Sequence, residues 1–476
     1  MTMSHGLENK RNNALQLGSL ELDGLAWLKD QSIRGGLAGD WERTVLDAFR
    51  NAEKRGLQAF RAAFTQLSVG GSQVRTLTAE ANPIVAVLVK PVGDACNLRC
   101  SYCYEGQGDE RQALPRMQFE TLEKIIKDTL SHGEGPVRFL WHGGEPLLAG
   151  LDFFRRAIKL EEKHNYKKRI VYNTVQTNAT LLSQDWIDFI IQNNISVGLS
   201  LDGTEEIHNR YRFGKQKEGS YDGVVAGIRL LQRNGMDFGV ITVITEASAQ
   251  CGREIFNHFM ELGIKNFDVH PSFGINVESN AGLAVLNRHE SSSSACCNKP
   301  LHPKDYARFV IDIFEEWLDY GQEGIRIGVL DDVFYAMLGQ LPRSCSSAGK
   351  CTDIIGFEST GDAVPCTRPF DLSRYTFGNI DRQGLKQILS ADVFQEFKSQ
   401  DKHSQGKTVQ CPWHAMCHNG CPQHRMVDGK QDISGANLYC QCSSGIEGGH
   451  AGIFSHIIDR VKAILCRSGN THLVSE

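Results

Sequence analysis

From about residue 84 the chain alternates between two textures. Short apolar runs of strand length lie at IVAVLVK (84–90), VRFLWH (137–142), RIVYNTVQT (169–177), SVGLSLD (196–202), DFGVITVI (237–244) and NFDVHPS (266–272). Between them run longer stretches with apolar residues every three or four positions: MQFETLEKIIKDTL, LDFFRRAIKLEEKH, SQDWIDFIIQNN, YDGVVAGIRLLQRNG and GREIFNHFMELG. The first texture predicts buried strands and the second amphipathic helices. Ser183 stands where the third helix needs an N-cap. With the helical HPKDYARFVIDIFEEWLDYG that follows, six strand–helix units in succession predict a parallel α/β sheet or partial barrel. Ligand sites in such folds lie at the carboxyl ends of the strands.

The flanks differ. Before residue 84, Trp41, Val45, Leu46, Phe49, Leu57, Phe60, Phe64 and Leu67 recur at helical spacing, so residues 1–84 are expected to form a helical N-terminal extension. A polar, low-complexity excursion, ESSSSACCNKP, interrupts the chain near 290–300, and its adjacent Cys296 and Cys297 read as incidental loop thiols. After about residue 340 helices shorten and Gly, Pro and Cys become frequent. The expected division is 1–84, a barrel at 85–330, a cysteine-rich domain at 331–445, and a C-terminal helix and tail at 446–476.

Composition narrows the function. At 476 residues the chain exceeds one ordinary core, and its net charge of −5 gives no reason to expect nucleic acid as a partner. No apolar run reaches the ~18 residues a membrane span needs, so no membrane association is expected. The opening MTMSHGLENKRNN lacks the apolar core of a secretory signal, which points to the cytoplasm. There the 15 cysteines are poor candidates for disulfides, and metal or redox chemistry is the leading reading of them.

The stretch KPVGDACNLRCSYCYEG, which follows the first strand, places Cys96, Cys100 and Cys103 at C-x3-C-x2-C spacing. Three thiolates suit zinc or an iron–sulfur cluster. Zinc would normally recruit a fourth ligand nearby, and a redox C-x-x-C has no use for Cys96. A four-iron cluster on three cysteines leaves one iron open to a small molecule bearing amino and carboxylate groups. Four more polar groups fall at successive strand ends, in WHGGEP (141–146), QTNAT (176–180), GLSLDG (198–203) and HNRYR (208–212).

With these residues the chain resembles the radical S-adenosylmethionine (SAM) superfamily. The resemblance implies a partial (β/α)6 radical SAM barrel. It implies a SAM-binding 4Fe–4S cluster on Cys96, Cys100 and Cys103. It implies SAM contacts from Tyr102, Gly143, Gly144, Glu145, Asn178, Ser200 and Arg212: Glu145 for the ammonium group, Arg212 for the carboxylate, the Tyr102 backbone for the adenine. The reaction so implied splits SAM into methionine and a 5′-deoxyadenosyl radical that abstracts a substrate hydrogen.

Farther on, Cys345-x5-Cys351-x14-Cys366 and Cys411-x5-Cys417-x3-Cys421, with Cys440 and Cys442 beyond, resemble the SPASM domain of anaerobic sulfatase-maturating enzymes and related ribosomal-peptide maturases. By that resemblance Cys345, Cys351, Cys366 and Cys421 hold auxiliary 4Fe–4S cluster I. Cys411, Cys417 and one or both of Cys440 and Cys442 hold auxiliary cluster II. On count alone, eight thiols would equally serve two zinc ions. Two departures stand out. Thr408 occupies a position where the pattern has a cysteine, and Thr367 follows Cys366 where sulfatase maturases carry an Asp base. Asp353, Glu358 and Asp362 lie nearby and read as solvated loop charges. The expected activity is therefore radical modification of a ribosomally made precursor peptide, by a carbon–carbon (cyclophane-like) or thioether crosslink, with an electron donor such as flavodoxin or ferredoxin. The alternatives are formylglycine formation, small-molecule oxidation, and a zinc scaffold without catalysis.

Overall fold

A computed structural model describes residues 86–105, 115–272, 300–337, 341–366, 372–411, 413–426, 433–434, 437–439 and 449–467. The expected N-terminal extension, Cys296, Cys297, Thr367, Cys440 and Cys442 lie outside the described residues.

The predicted alternation is the backbone of the fold. Strands β1 (Ala86–Val89), β2 (Val137–Trp141), β3 (Val171–Thr177), β4 (Ser196–Ser200), β5 (Phe238–Ile244) and β6 (Asn266–Pro271) pair in that order, all parallel. Helices α1 (Phe119–Ser131), α2 (Leu151–His164), α3 (Gln184–Gln192), α4 (Glu205–Tyr211), α5 (Tyr221–Arg233) and α6 (Gly252–Glu261) connect them. Ser183 caps α3, its hydroxyl accepting from the Trp186 amide at 3.5 Å. Helix α7 (Pro303–Tyr320) leads to β7 (Arg326–Ile327) and α8 (Gly328–Met337), and β7 adds to β6 in parallel.

The cysteine-rich region completes the same sheet. Strand β8 (Ile354–Phe357) pairs in parallel with β1, register Val89 to Phe357, and turns back through β9 (Asp362–Val364) to β10 (Gly378–Asn379). The order is β10-β9-β8-β1-β2-β3-β4-β5-β6-β7 in one sheet. Helices α9 (Leu372–Tyr375), α10 (Leu385–Ser390), α11 (Asp392–Lys407), α12 (His414–Cys417) and α13 (Gly449–Arg467) follow, and α13 packs along α7.

Alternation along the strands divides the two faces. Val87, Val89, Phe139, Trp141, Val175, Leu199, Val240 and Phe267 are buried on the face covered by helices, against Ile125, Phe154, Ile187, Ile228 and Phe256. Each such side chain contributes roughly 1.5–3 kcal/mol by leaving water. The intervening positions Gln176, Ser200, Ile241, Val243, Asp268 and His270 are half-buried and line the open side of the sheet. Register sets Ser200 beside Ile241 and Ile241 beside Asp268, one row across three strands.

Candidate active site

The first cysteine loop sits at the carboxyl end of β1, as strand order requires. The Cys103 amide bonds to the Cys100 carbonyl at 3.1 Å, and the Leu98 amide points at the Cys96 sulfur at 3.3 Å. The loop is held from beneath by the turn after β2. The Glu145 amide donates to the Ala95 carbonyl at 2.8 Å. Gly144 has φ +50°, and a Cβ there would lie 2.1 Å from that same oxygen. Gly143 has φ +83°, and its Cβ would meet Lys90 Cγ at 2.3 Å. Only glycine allows so close a packing of the two segments. What approaches these glycines in the structure is the cysteine loop and Lys90.

Glu145 is fully buried and joins the ends of β2 and β3. One oxygen accepts from the Thr177 hydroxyl at 2.7 Å and the Leu147 amide at 3.0 Å; the other accepts from the Asn178 amide at 2.7 Å. Burial pushes its carboxyl up to about 7 against these three bonds. The Asn178 side chain donates to Asn97 at 2.9 Å and faces the Cys96 sulfur at 3.8 Å, so β3 also braces the cysteine loop. Ser200 Oγ accepts from Gln176 at 3.2 Å.

Tyr102 and Arg212 converge on a residue that sequence reading passed over. The Tyr102 hydroxyl donates to Asp202 Oδ2, and Arg212 Nε donates to the same oxygen at 2.9 Å, with its guanidinium 5.3 Å from the Tyr102 ring centroid. Asp202 Oδ1 accepts from the Val243 amide at 3.0 Å. Asp202 thus ties the cysteine loop, β4, β5 and the segment after α4 together. His208 supports it from below. Its Nδ1 accepts from the Asp202 amide at 3.3 Å, and burial lowers its pKa to about 4, so the ring is neutral. Asp202 lies inside the GLSLDG motif, and its position at a strand end was the available signal.

On the other side of the loop, Lys90 bridges Glu105 at 2.7 Å and Glu358 at 2.9 Å, all three nearly buried. Burial works against the ammonium, but the two carboxylates outweigh it and raise its pKa. Glu358, expected as a solvated loop charge, is 5% exposed, because β8 pairs with β1 and carries it to the barrel's mouth. Across the open side, Asp268 lies 3.5 Å from His270, and burial, with Asp332 adding to it, pushes the Asp268 carboxyl up to about 7.

Four of the auxiliary cysteines come together. Cys345, Cys366 and Cys421 all lie close enough to the buried Cys351 to raise its thiol pKa, after burial itself. Those four are the set expected for auxiliary cluster I. Cys411 lies three residues before the one-turn helix α12, and the buried Cys417 ends it. Among the described residues no three His, Cys, Asp or Glu side chains are set to hold a single metal ion.

The donor chemistry fits iron–sulfur clusters. Burial pushes the Cys100 thiol up to about 12; Arg212 opposes this, while Cys103 and Cys96 add to it. Three thiolates cannot share that pocket without a compensating positive charge, which iron supplies.

The radical SAM superfamily profile matches residues 91–258, and that of the SPASM iron–sulfur cluster-binding domain matches residues 350–422. A cysteine-type anaerobic sulfatase-maturating enzyme of Clostridium perfringens (strain 13 / Type A) is 32% identical over 365 residues, spanning 75% of this chain and 94% of that enzyme. A serine-type enzyme of Bacteroides thetaiotaomicron is 30% identical, with 75% and 86% covered. The structure of native anSMEcpe with bound AdoMet and Cp18Cys peptide superposes with a TM-score of 0.66 at 26% identity, covering 81% of this chain and 99% of that one. Streptococcus suis SuiB bound to precursor peptide SuiA, at 16% identity and a TM-score of 0.53, shares the fold. The chain belongs to the radical SAM/SPASM enzymes, in the family that contains the anaerobic sulfatase-maturating enzymes. Its cofactors are SAM, a SAM-binding 4Fe–4S cluster and auxiliary iron–sulfur clusters in the SPASM domain. No helix among the described residues is long and apolar enough to cross a membrane.

Proposed function

We propose that this enzyme oxidises a side chain of a ribosomally made precursor peptide and closes a crosslink, either carbon–carbon of cyclophane type or thioether. The observation that carries this reading over formylglycine formation is Thr367, directly after Cys366. Converting a Cys or Ser side chain to an aldehyde requires a base for the thiol or hydroxyl proton, and a threonine cannot serve as one. A peptide substrate is supported by the likeness to anSMEcpe, whose structure holds the Cp18Cys peptide.

In this reading Cys96, Cys100 and Cys103 hold the first cluster, and Tyr102, Gly143, Gly144, Glu145, Asn178, Ser200 and Arg212 surround SAM. Cys345, Cys351, Cys366 and Cys421 hold auxiliary cluster I; Cys411 and Cys417, with one or both of Cys440 and Cys442, hold auxiliary cluster II. The barrel is residues 85–330 and the SPASM domain 331–445, flanked by 1–84 and 446–476. When bound, SAM and its cluster supply a radical that removes hydrogen from an unactivated carbon. The chain's own residues orient and shield that event. Glu145 ties the ends of β2 and β3, and Asp202 ties Tyr102 to Arg212 at the end of β4; Asp268, on the open side of the sheet with its carboxyl pushed up to about 7 by burial, is the candidate proton acceptor for the closing step. A flavodoxin or ferredoxin is the expected electron donor, and the cytoplasm the expected compartment.

A second reading, sulfatase maturation, is favoured by the 32% and 30% identical relatives. Mass spectrometry after anaerobic co-expression separates the two. A peptide encoded beside the gene should lose two hydrogens per crosslink. An unchanged precursor, together with conversion of a sulfatase cysteine peptide to its aldehyde, reverses the ranking.

A further inference from the structure

Position 408 is where the cysteine pattern has a gap: Thr408 precedes Cys411 and Cys417 at the spacing where a third cysteine is expected. Thr408 is the C-cap of α11. Its hydroxyl lies 2.9 Å from the Gln405 carbonyl oxygen and 3.0 Å from Nδ1 of His414. A carbonyl can only accept, so the single hydroxyl proton goes to Gln405, and the hydroxyl oxygen accepts from His414 Nδ1–H. That fixes the tautomer and leaves the ring's lone pair on Nε2, which bonds to no group among the described residues. The His414 amide donates to the Cys411 carbonyl at 3.0 Å, and Cys417 ends the same one-turn helix. An imidazole therefore stands beside residue 408, on the residue midway in sequence between the two cysteines. Tying one ring nitrogen by a hydrogen bond is how proteins present the other to a metal. Histidine in place of cysteine on an iron–sulfur cluster has precedent in Rieske centres.

We propose that His414 Nε2 is a ligand of the second auxiliary iron–sulfur cluster, filling the place that Thr408 leaves without a thiol, alongside Cys411 and Cys417. The inference rests on the auxiliary-cluster assignment above and is independent of which peptide is the substrate. A neutral imidazole in place of a thiolate removes one negative charge at the cluster, which raises its potential and makes it a better electron acceptor. His418 is the internal control. Its ring lies 5.2 Å from that of His414, and its Nδ1 donates to the Ser347 carbonyl at 2.6 Å, turned toward the Cys345–Cys351 segment.

The test is pulsed EPR on dithionite-reduced holoenzyme carrying imidazole-15N histidine, without SAM, whose own nitrogen would interfere. A ligand-strength 15N coupling is expected in the wild type and in H418A, and its loss in H414A. In T408C the new thiol should displace the imidazole, removing the coupling while iron content stays full. H414C should keep its iron and show a lower potential. If H414A fails to assemble, T408C decides: full iron without coupling supports the proposal, and a retained coupling overturns it. A wild type with full iron but no coupling, or a coupling lost only in H418A, also overturns it. Wild-type iron well short of about 12 per chain for three four-iron clusters overturns the assignment beneath it, and the proposal with it.

Discussion

Replacing Arg425 by Met tests whether the auxiliary-cluster loop depends on one buried cation. Arg425 ends the single turn Pro422–Arg425 that follows Cys421. Its side chain is 0% exposed and pairs with Asp401, 2% exposed, at 2.7 Å. Its other nitrogens donate to the Asn419 carbonyl at 3.1 Å and the Gly420 carbonyl at 2.8 Å, the two residues before Cys421. Met keeps most of the volume, so the loss is of charge and hydrogen bonds. Breaking a buried pair while leaving one partner costs about 3–5 kcal/mol. The Gly420 carbonyl, losing its Arg425 donor, adds about 1–3 kcal/mol, while the Asn419 carbonyl keeps the Asn437 side-chain amide at 3.3 Å; these terms overlap with the first. A net of about 5 kcal/mol raises local opening by between three and four decades. Hydrogen exchange of residues 419–421, read by mass spectrometry under anaerobic conditions, measures that opening directly. Iron analysis should show loss of about one four-iron cluster. Adding D401N removes the stranded carboxylate and should restore more than half of the protection. Unchanged exchange and full iron in R425M would refute the reasoning.

Other perturbations bear on the radical loop. Gly144→Ala puts a methyl group 2.1 Å from the Ala95 oxygen at a φ of +50°; first-cluster iron and SAM cleavage should fall while auxiliary iron stays, and a variant with wild-type 5′-deoxyadenosine yield contradicts this. Lys90→Met strands Glu105 and Glu358 together without a cation, at a cost of about 3–5 kcal/mol, read as a lower urea midpoint; an unchanged midpoint argues against the buried triad. His208 stays neutral in the fold down to about pH 4, whereas the unfolded ring takes a proton near 6.5, so stability falls as pH drops between those values, by about 3 kcal/mol in all. Urea midpoints between pH 7 and 5 should show that slope in the wild type and lack it in H208Q. Cys100→Ala should abolish SAM cleavage, and continued 5′-deoxyadenosine formation would show the cluster ligands are misassigned.

Local pattern carried the six central strands and their helices, because period and chain direction are properties of short windows. It also set the C-x3-C-x2-C loop at the mouth of β1, since a loop that follows a parallel strand can go nowhere else. Resemblance to the SPASM pattern, and not spacing, assigned Cys421 to the group with Cys345 and Cys366 that the fold then gathers around Cys351. What the sequence could not decide depends on pairing between distant segments. Strand β8 is too short and too plain to announce that it pairs with β1, yet that pairing turns Glu358 from a loop charge into a buried partner of Lys90. Asp202 has no periodicity to mark it as the point where Tyr102, Arg212 and Val243 meet. Thr408 and His414 are near in sequence, but only the cap geometry of α11 orients the hydroxyl and so frees His414 Nε2. Chain-local regularities determine which elements form; register and side-chain direction across the assembled sheet determine which groups touch, and the chemistry of this site lies in those contacts.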